Sequence, residues 1–305
     1  MYFIGTASIT VFLAARQETI DQSEFIDEKS ALLAPIGASI SLLSVYALLK
    51  FGIDPTTAYA FFVTVFGALS ISDIGVPILR NVLPNEFSIA QVSVPKKVAD
   101  VFDLDEPALP LDGLVALVLG ILFSIAYWLP TSMAQKFIVS NVIAWSIAMV
   151  SLGTIGLGSF QTAAILLAGL FCYDCFFVFG TDVMMTVATK IEAPVKFIFP
   201  AVPSESPREY PFSVLGLGDV VIPGLFVRFM KQIDEALQPK LPYIGISTAA
   251  YTLALSTCFA VNYVTSAGQP ALFYIDPALI GSVLGAAAFN DQLAEVWNFK
   301  VKDDK

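Results

Sequence analysis

Residues 166–180 read LLAGLFCYDCFFVFG, an apolar run with a single aspartate, Asp174, at its centre. A second run, LGLGDVVIPGLFVRF at 215–229, carries Asp219 in the same way. Stretches this apolar belong in a buried helix or in lipid, and the rest of the chain decides between the two. Hydrophobic residues make up 56% of the 305 positions and charged residues only 14%, far from the quarter charged that is usual in soluble domains. Mean hydropathy is +0.76. The chain is therefore expected to be an all-α polytopic membrane protein.

About nine segments approach the ~20 residues needed to cross the hydrocarbon core. They lie at 2–15, 31–51, 56–79, 114–129, 137–152, 162–185, 212–230, 243–264 and 270–289. The first is short, but no basic residue precedes it and Arg16 follows it, the wrong flank for a secretory signal. It is read as a first span, short or trimmed at its start. If the nine spans alternate, eleven of the Lys and Arg residues fall on the C-terminal side of the membrane and five on the other. The positive-inside rule then puts the C-terminus in the cytosol and the N-terminus on the lumenal or extracellular side. The net charge of −10 argues against a nucleic-acid partner.

Two connectors are long. Residues 80–113 mix prolines with the alternating FSIAQVSV, the pattern of a short strand or hairpin in a cytosolic loop. Residues 190–211 join the two aspartate-bearing spans. Within them VKFIFP is β-prone, and an unpaired strand at Val195, Lys196, Phe197, Ile198 and Phe199 would offer backbone groups to an extended peptide. An interfacial loop resting its aromatics on headgroups is the plainer alternative.

A carboxylate in hydrocarbon costs a few kcal/mol even on lenient scales, and neither aspartate has a Lys or Arg close by in its span. Mutual pairing is the economical solution. Two carboxylates held together in a low dielectric share a proton, so one serves as base and the other as acid. Measured from the connector side, Asp174 lies ~17 Å deep and Asp219 ~10 Å at helical rise. Extended backbone at Gly216 and Gly218 would reduce the difference and leave room for a substrate backbone beside Asp219.

Three motifs then stand in order on separate spans: Tyr173-Asp174, the GLGD formed by Gly216, Leu217, Gly218 and Asp219, and the QPAL formed by Gln269, Pro270, Ala271 and Leu272. With the flanks GLFCYDCFFVFGTDVMMTVAT, EAPVKFIFP and QPALFYI, they resemble the signature of the presenilin and signal peptide peptidase family, in its signal peptide peptidase branch. Pro-Ala-Leu occurs three times, at 107–109, 270–272 and 277–279, so the choice of the second rests on the resemblance. The resemblance implies intramembrane aspartyl proteolysis with Asp174 and Asp219 as the catalytic pair. It also implies QPAL near the dyad, transmembrane-helix or signal-peptide substrates such as remnant signal peptides and type II segments, and residence in the endoplasmic reticulum membrane. Tyr173 could bond toward the dyad or simply pack. Asp276 departs from the family, which has an apolar residue there; it is expected to face water or the interface.

Cys172 and Cys175 bracket Asp174, but with Cys258 the only other cysteine and no histidine anywhere, no metal and no cofactor are expected. Membrane lipid is a partner in any case, and a homo-oligomer stays open. Residues 1–157 are expected to form an N-terminal bundle of about five spans, and 158–305 a catalytic bundle of about four. The competing class is a proton-coupled transporter or channel, which moves solute without cutting peptides; a silent helix-binding protein is a third.

Overall fold

The structure is a computed structural model, and it describes residues 2–16, 24–83, 90–93, 108–129, 133–200, 212–265 and 267–301. Lipid offers backbone groups no partner, so apolar spans close their hydrogen bonds internally as helices. Nine helices of fifteen residues or more follow the nine apolar segments among the described residues. They are α1 (Tyr2–Arg16), α2 (Glu28–Lys50), α3 (Thr56–Val82), α4 (Leu111–Ala126), α5 (Met133–Thr154), α6 (Phe160–Phe179), α8 (Gly218–Leu237), α9 (Tyr243–Thr265) and α10 (Ala271–Phe289). Two short helices complete the set, α7 (Val183–Lys190) and α11 (Leu293–Trp297). Six of the helices are long and apolar enough to cross a membrane, and α1 and α4 are shorter apolar helices. The outer face carries large apolar side chains such as Leu33, Ile40, Phe62, Phe66 and Leu122, a surface suited to lipid.

Two segments differ from the expectation. The sixth ends at Phe179, where Gly180 takes the C-cap, and α7 restarts after Asp182. The seventh begins as strand rather than helix: β6 (Phe212–Gly216) pairs antiparallel with β5 (Lys196–Pro200). The connector between spans three and four holds β2 (Gln91–Ser93) and β3 (Ala108–Pro110), paired antiparallel. A third pairing is parallel, between β1 (Glu24–Ile26) and β4 (Ile155–Leu157).

The core lies where α1, α5, α6, α8, α9 and α10 meet. α1 buries Ala7, Val11, Ala14 and Ala15, one face at helical spacing, and packs on α8; α2 packs on α6. Small residues allow these close approaches. A Cβ on Gly224 of α8 would sit 2.7 Å from the Leu152 side chain, and one on Gly169 of α6 would sit 2.6 Å from Pro35. Two intramembrane charges are answered locally. Asp112, fully buried at the head of α4, is bridged by Arg80 of α3 at 2.6 Å. Arg228 of α8 donates to the Leu152 carbonyl at the end of α5. The α9 N-terminus is capped across a turn, with Asp234 accepting from the Tyr243 and Ile244 N–H groups at 2.7 and 3.0 Å.

Candidate active site

α6 places Asp174 in the interior, 2% exposed. α10 opens at Pro270, and its first turn exposes unbonded N–H groups. One of them, on Leu272, donates to Asp174 Oδ2 at 2.9 Å. The aspartate therefore caps a helix 98 residues further along the chain, and the partial positive charge of that helix end faces the carboxylate. The resemblance implies QPAL near the dyad, and the contact that Pro270, Ala271 and Leu272 make with the site is the Leu272 N–H. Gln269 acts beside them as a staple, accepting from the Tyr274 hydroxyl at 3.0 Å and donating to Thr265 Oγ1 at 3.2 Å.

Asp219 occupies the first turn of α8, directly after β6. Five extended residues rise about 9 Å more than five helical ones, which corrects the depth mismatch in the expected direction. Gly216 is extended, and its backbone lies next to the Asp219 carboxylate. Gly218 is helical, and neither glycine has positive φ, so no left-handed backbone is used. A Cβ on Gly216 would lie 3.4 Å from Asp219 Oδ2, whereas one on Gly218 would meet nothing within 4 Å. The open space beside the acid is thus at Gly218. The carboxylates of Asp174 and Asp219 lie within electrostatic reach of one another. Leu217 completes the turn between them and β6, its N–H bonded to Val195 O at 3.1 Å.

Tyr173 packs its ring on Phe177, centroids 4.9 Å apart. Its hydroxyl is near both carboxylates but bonds no described residue. Tyr251 of α9, which sequence reasoning did not single out, is fully buried and donates its hydroxyl to the Asp219 carbonyl at 3.2 Å. Asp276 does not face water: it is 1% exposed, neither oxygen has a hydrogen-bond partner among the described residues, and both other aspartates act on it. It lies one turn beyond Leu272 on the same helix, and that face points into the site. Cys172, Cys175 and Cys258 are all free thiols.

Val195 to Phe199 form the bend and start of β5. The bond from Leu217 N–H to Val195 O makes 195 and 217 a hydrogen-bonded pair; alternation along the antiparallel register makes 197–215 and 199–213 bonded pairs too. Lys196 and Ile198 therefore turn their peptide groups away from β6. That outer edge is occupied: Asn141 of α5 bonds both the N–H and the C=O of Ile198. The expectation of an unpaired edge at 195–199 fails for this reason. The edge left open belongs to β6, where the outward N–H and C=O of Val214 have no partner among the described residues. The Lys196 side chain runs back to the Ala188 carbonyl in the last turn of α7. Burial pushes its ammonium pKa down to about 8, against a smaller upward pull from Glu192.

A family model for signal peptide peptidase matches residues 18–303. The chain belongs to the signal peptide peptidase family, whose members are intramembrane proteases. It is 30% identical to the signal peptide peptidase of Mus musculus over 97% of this chain and 79% of the mouse protein. The Homo sapiens signal peptide peptidase matches with the same identity and coverage. A Schizosaccharomyces pombe protein described as a probable intramembrane protease is 28% identical over 97% of this chain and 92% of its own length.

Proposed function

We propose that this signal peptide peptidase family member is an aspartic endopeptidase and that Asp174 and Asp219 are its catalytic pair. The observation that carries the proposal is the convergence of three motifs distant in sequence, with Leu272 N–H on Asp174 and Asp174 in reach of Asp219. One carboxylate takes a proton from a water that attacks the scissile carbonyl. The other donates to the carbonyl oxygen and then to the departing amine, so no covalent enzyme intermediate forms. Leu272 N–H holds one oxygen of Asp174 in place, and a preorganised donor of this kind need not rearrange during reaction.

The substrates are transmembrane helices, remnant signal peptides and type II segments, met in the endoplasmic reticulum membrane by an enzyme with lumenal N-terminus and cytosolic C-terminus. A helix hides its carbonyls, so it must unwind before attack, and the freed groups need partners because lipid supplies none. The open edge of β6 answers that need. The unwound peptide adds as a strand beside Val214, five positions before Asp219 in the chain.

The test uses detergent-solubilised protein and a labelled signal peptide, with products read by mass spectrometry. Asp174→Ala and Asp219→Ala each abolish fragments while the protein elutes and melts as a folded species, and the wild-type pH profile is bell-shaped. Near-normal turnover by either variant, or solute flux without fragments, overturns the proposal.

A further inference from the structure

Both outward peptide groups of Ile198 end on one side chain. Asn141 Nδ2 donates to the Ile198 carbonyl at 2.7 Å, and Asn141 Oδ1 accepts from the Ile198 N–H at 2.8 Å. A primary amide presents a donor and an acceptor much as a peptide group does. Asn141 therefore stands where the backbone of a neighbouring strand would stand. Its setting makes the contact more than incidental: Ile198 is fully buried, Asn141 lies 57 residues away in sequence, and the helix that presents it is otherwise apolar for a turn on its C-terminal side. Polar side chains inside a span point to a partner or a task.

The position of this hairpin has consequences for the site. β6 ends at Gly216, beside the Asp219 carboxylate, and only Leu217 and Gly218 separate the strand from the acid. The start of β5 is tied down by Leu217 N–H on Val195 O and by the Lys196 ammonium on α7. The middle of β5 is tied to α5 through Asn141. A lateral slip of the hairpin would move the free edge at Val214 relative to Asp174, which stands on a different helix.

We propose that Asn141 is a positioning residue for peptide hydrolysis: it docks the β5–β6 hairpin on α5 as a mimic of a third strand, and so sets which bond of the paired substrate reaches the two aspartates. This rests on the reading that substrate adds as a strand at β6. Strand faces alternate with a period of two residues, so a register slip that keeps the same side chains inward moves the cut by two. Loss of the dock thus has a signature that general destabilisation lacks.

The experiment compares wild type with Asn141→Leu, similar in size without hydrogen bonds, and Asn141→Asp, which keeps the acceptor for Ile198 N–H. Full-length proteins cut one labelled transmembrane peptide, and mass spectrometry gives the ratio of cleavage positions alongside kcat and KM. Product ratios are independent of how much enzyme folds, so a poorly folding variant still reports. For Asn141→Leu we expect new products two residues from the main site and kcat lowered by roughly tenfold with KM within about threefold, as for loss of an interaction that counts in the transition state; Asn141→Asp falls between. A wild-type product ratio from both variants overturns the assignment. A Val214→Pro variant run in parallel separates the premises. If it is impaired while the Asn141 products are unchanged, only the Asn141 inference falls; if it turns over normally, strand pairing at β6 falls, and the inference with it.

Discussion

Proline at Val214 tests the substrate edge with little cost to the fold. Val214 faces Ile198 in a non-hydrogen-bonded position of the β5–β6 register, so its N–H is not part of the hairpin ladder and proline removes no hairpin bond. Edge positions of this kind are where strands tolerate proline. The Val214 side chain is partly exposed rather than buried. What disappears is one donor to the substrate, and the substrate carbonyl that it served is left unsatisfied. In a water-poor site that is worth about 2 kcal/mol, or roughly thirtyfold in kcat/KM at 1.36 kcal/mol per tenfold. Val214→Ala, which keeps the N–H, should lose less than about threefold. Phe197→Pro is the contrasting control: its N–H lies in a bonded pair, so it should weaken the hairpin itself and lower the melting temperature. Cleavage of a labelled transmembrane peptide, followed by fluorescence with the melting temperature recorded in the same detergent, decides the matter. A folded Val214→Pro protein within about threefold of wild type would refute the strand argument and leave the aspartates untouched.

Two further expectations concern residues around the acids. Gly218→Val projects into space where no atom lies within 4 Å, so it should cut turnover at least tenfold by obstructing the approach to Asp219 while shifting the melting temperature little; full activity would remove the argument that this space receives substrate. Asp276→Val replaces two buried oxygens without partners by apolar volume, and should stabilise the protein by about 1–3 kcal/mol in a thermal or denaturant assay. A less stable Asp276→Val protein would show that the carboxyl has a partner that this structure does not give it.

The nine apolar segments that become helices were legible in the sequence because lipid leaves an apolar stretch one choice of backbone. So were the two acids, since a lone aspartate in a span stands out in any register. The strand character of 195–199 was legible too, from its β-prone run between prolines at 194 and 200. The break after Phe179 could have been read from Gly180-Thr181-Asp182, a helix-ending signal that the apolar run on both sides masked. β6 could not be read: Phe212 to Gly216 is as apolar as a helix start, and only the pairing with β5 makes it a strand. The remaining decisions were tertiary. Leu272 on Asp174 and Asn141 on Ile198 are contacts across 98 and 57 residues, and the burial of Asp276 depends on which face of α10 turns toward α6 and α8. Hydrophobicity along a chain records what each segment must avoid, which is water or lipid. It does not record which polar group across the bundle will complete a hydrogen bond, because that follows from how the helices pack.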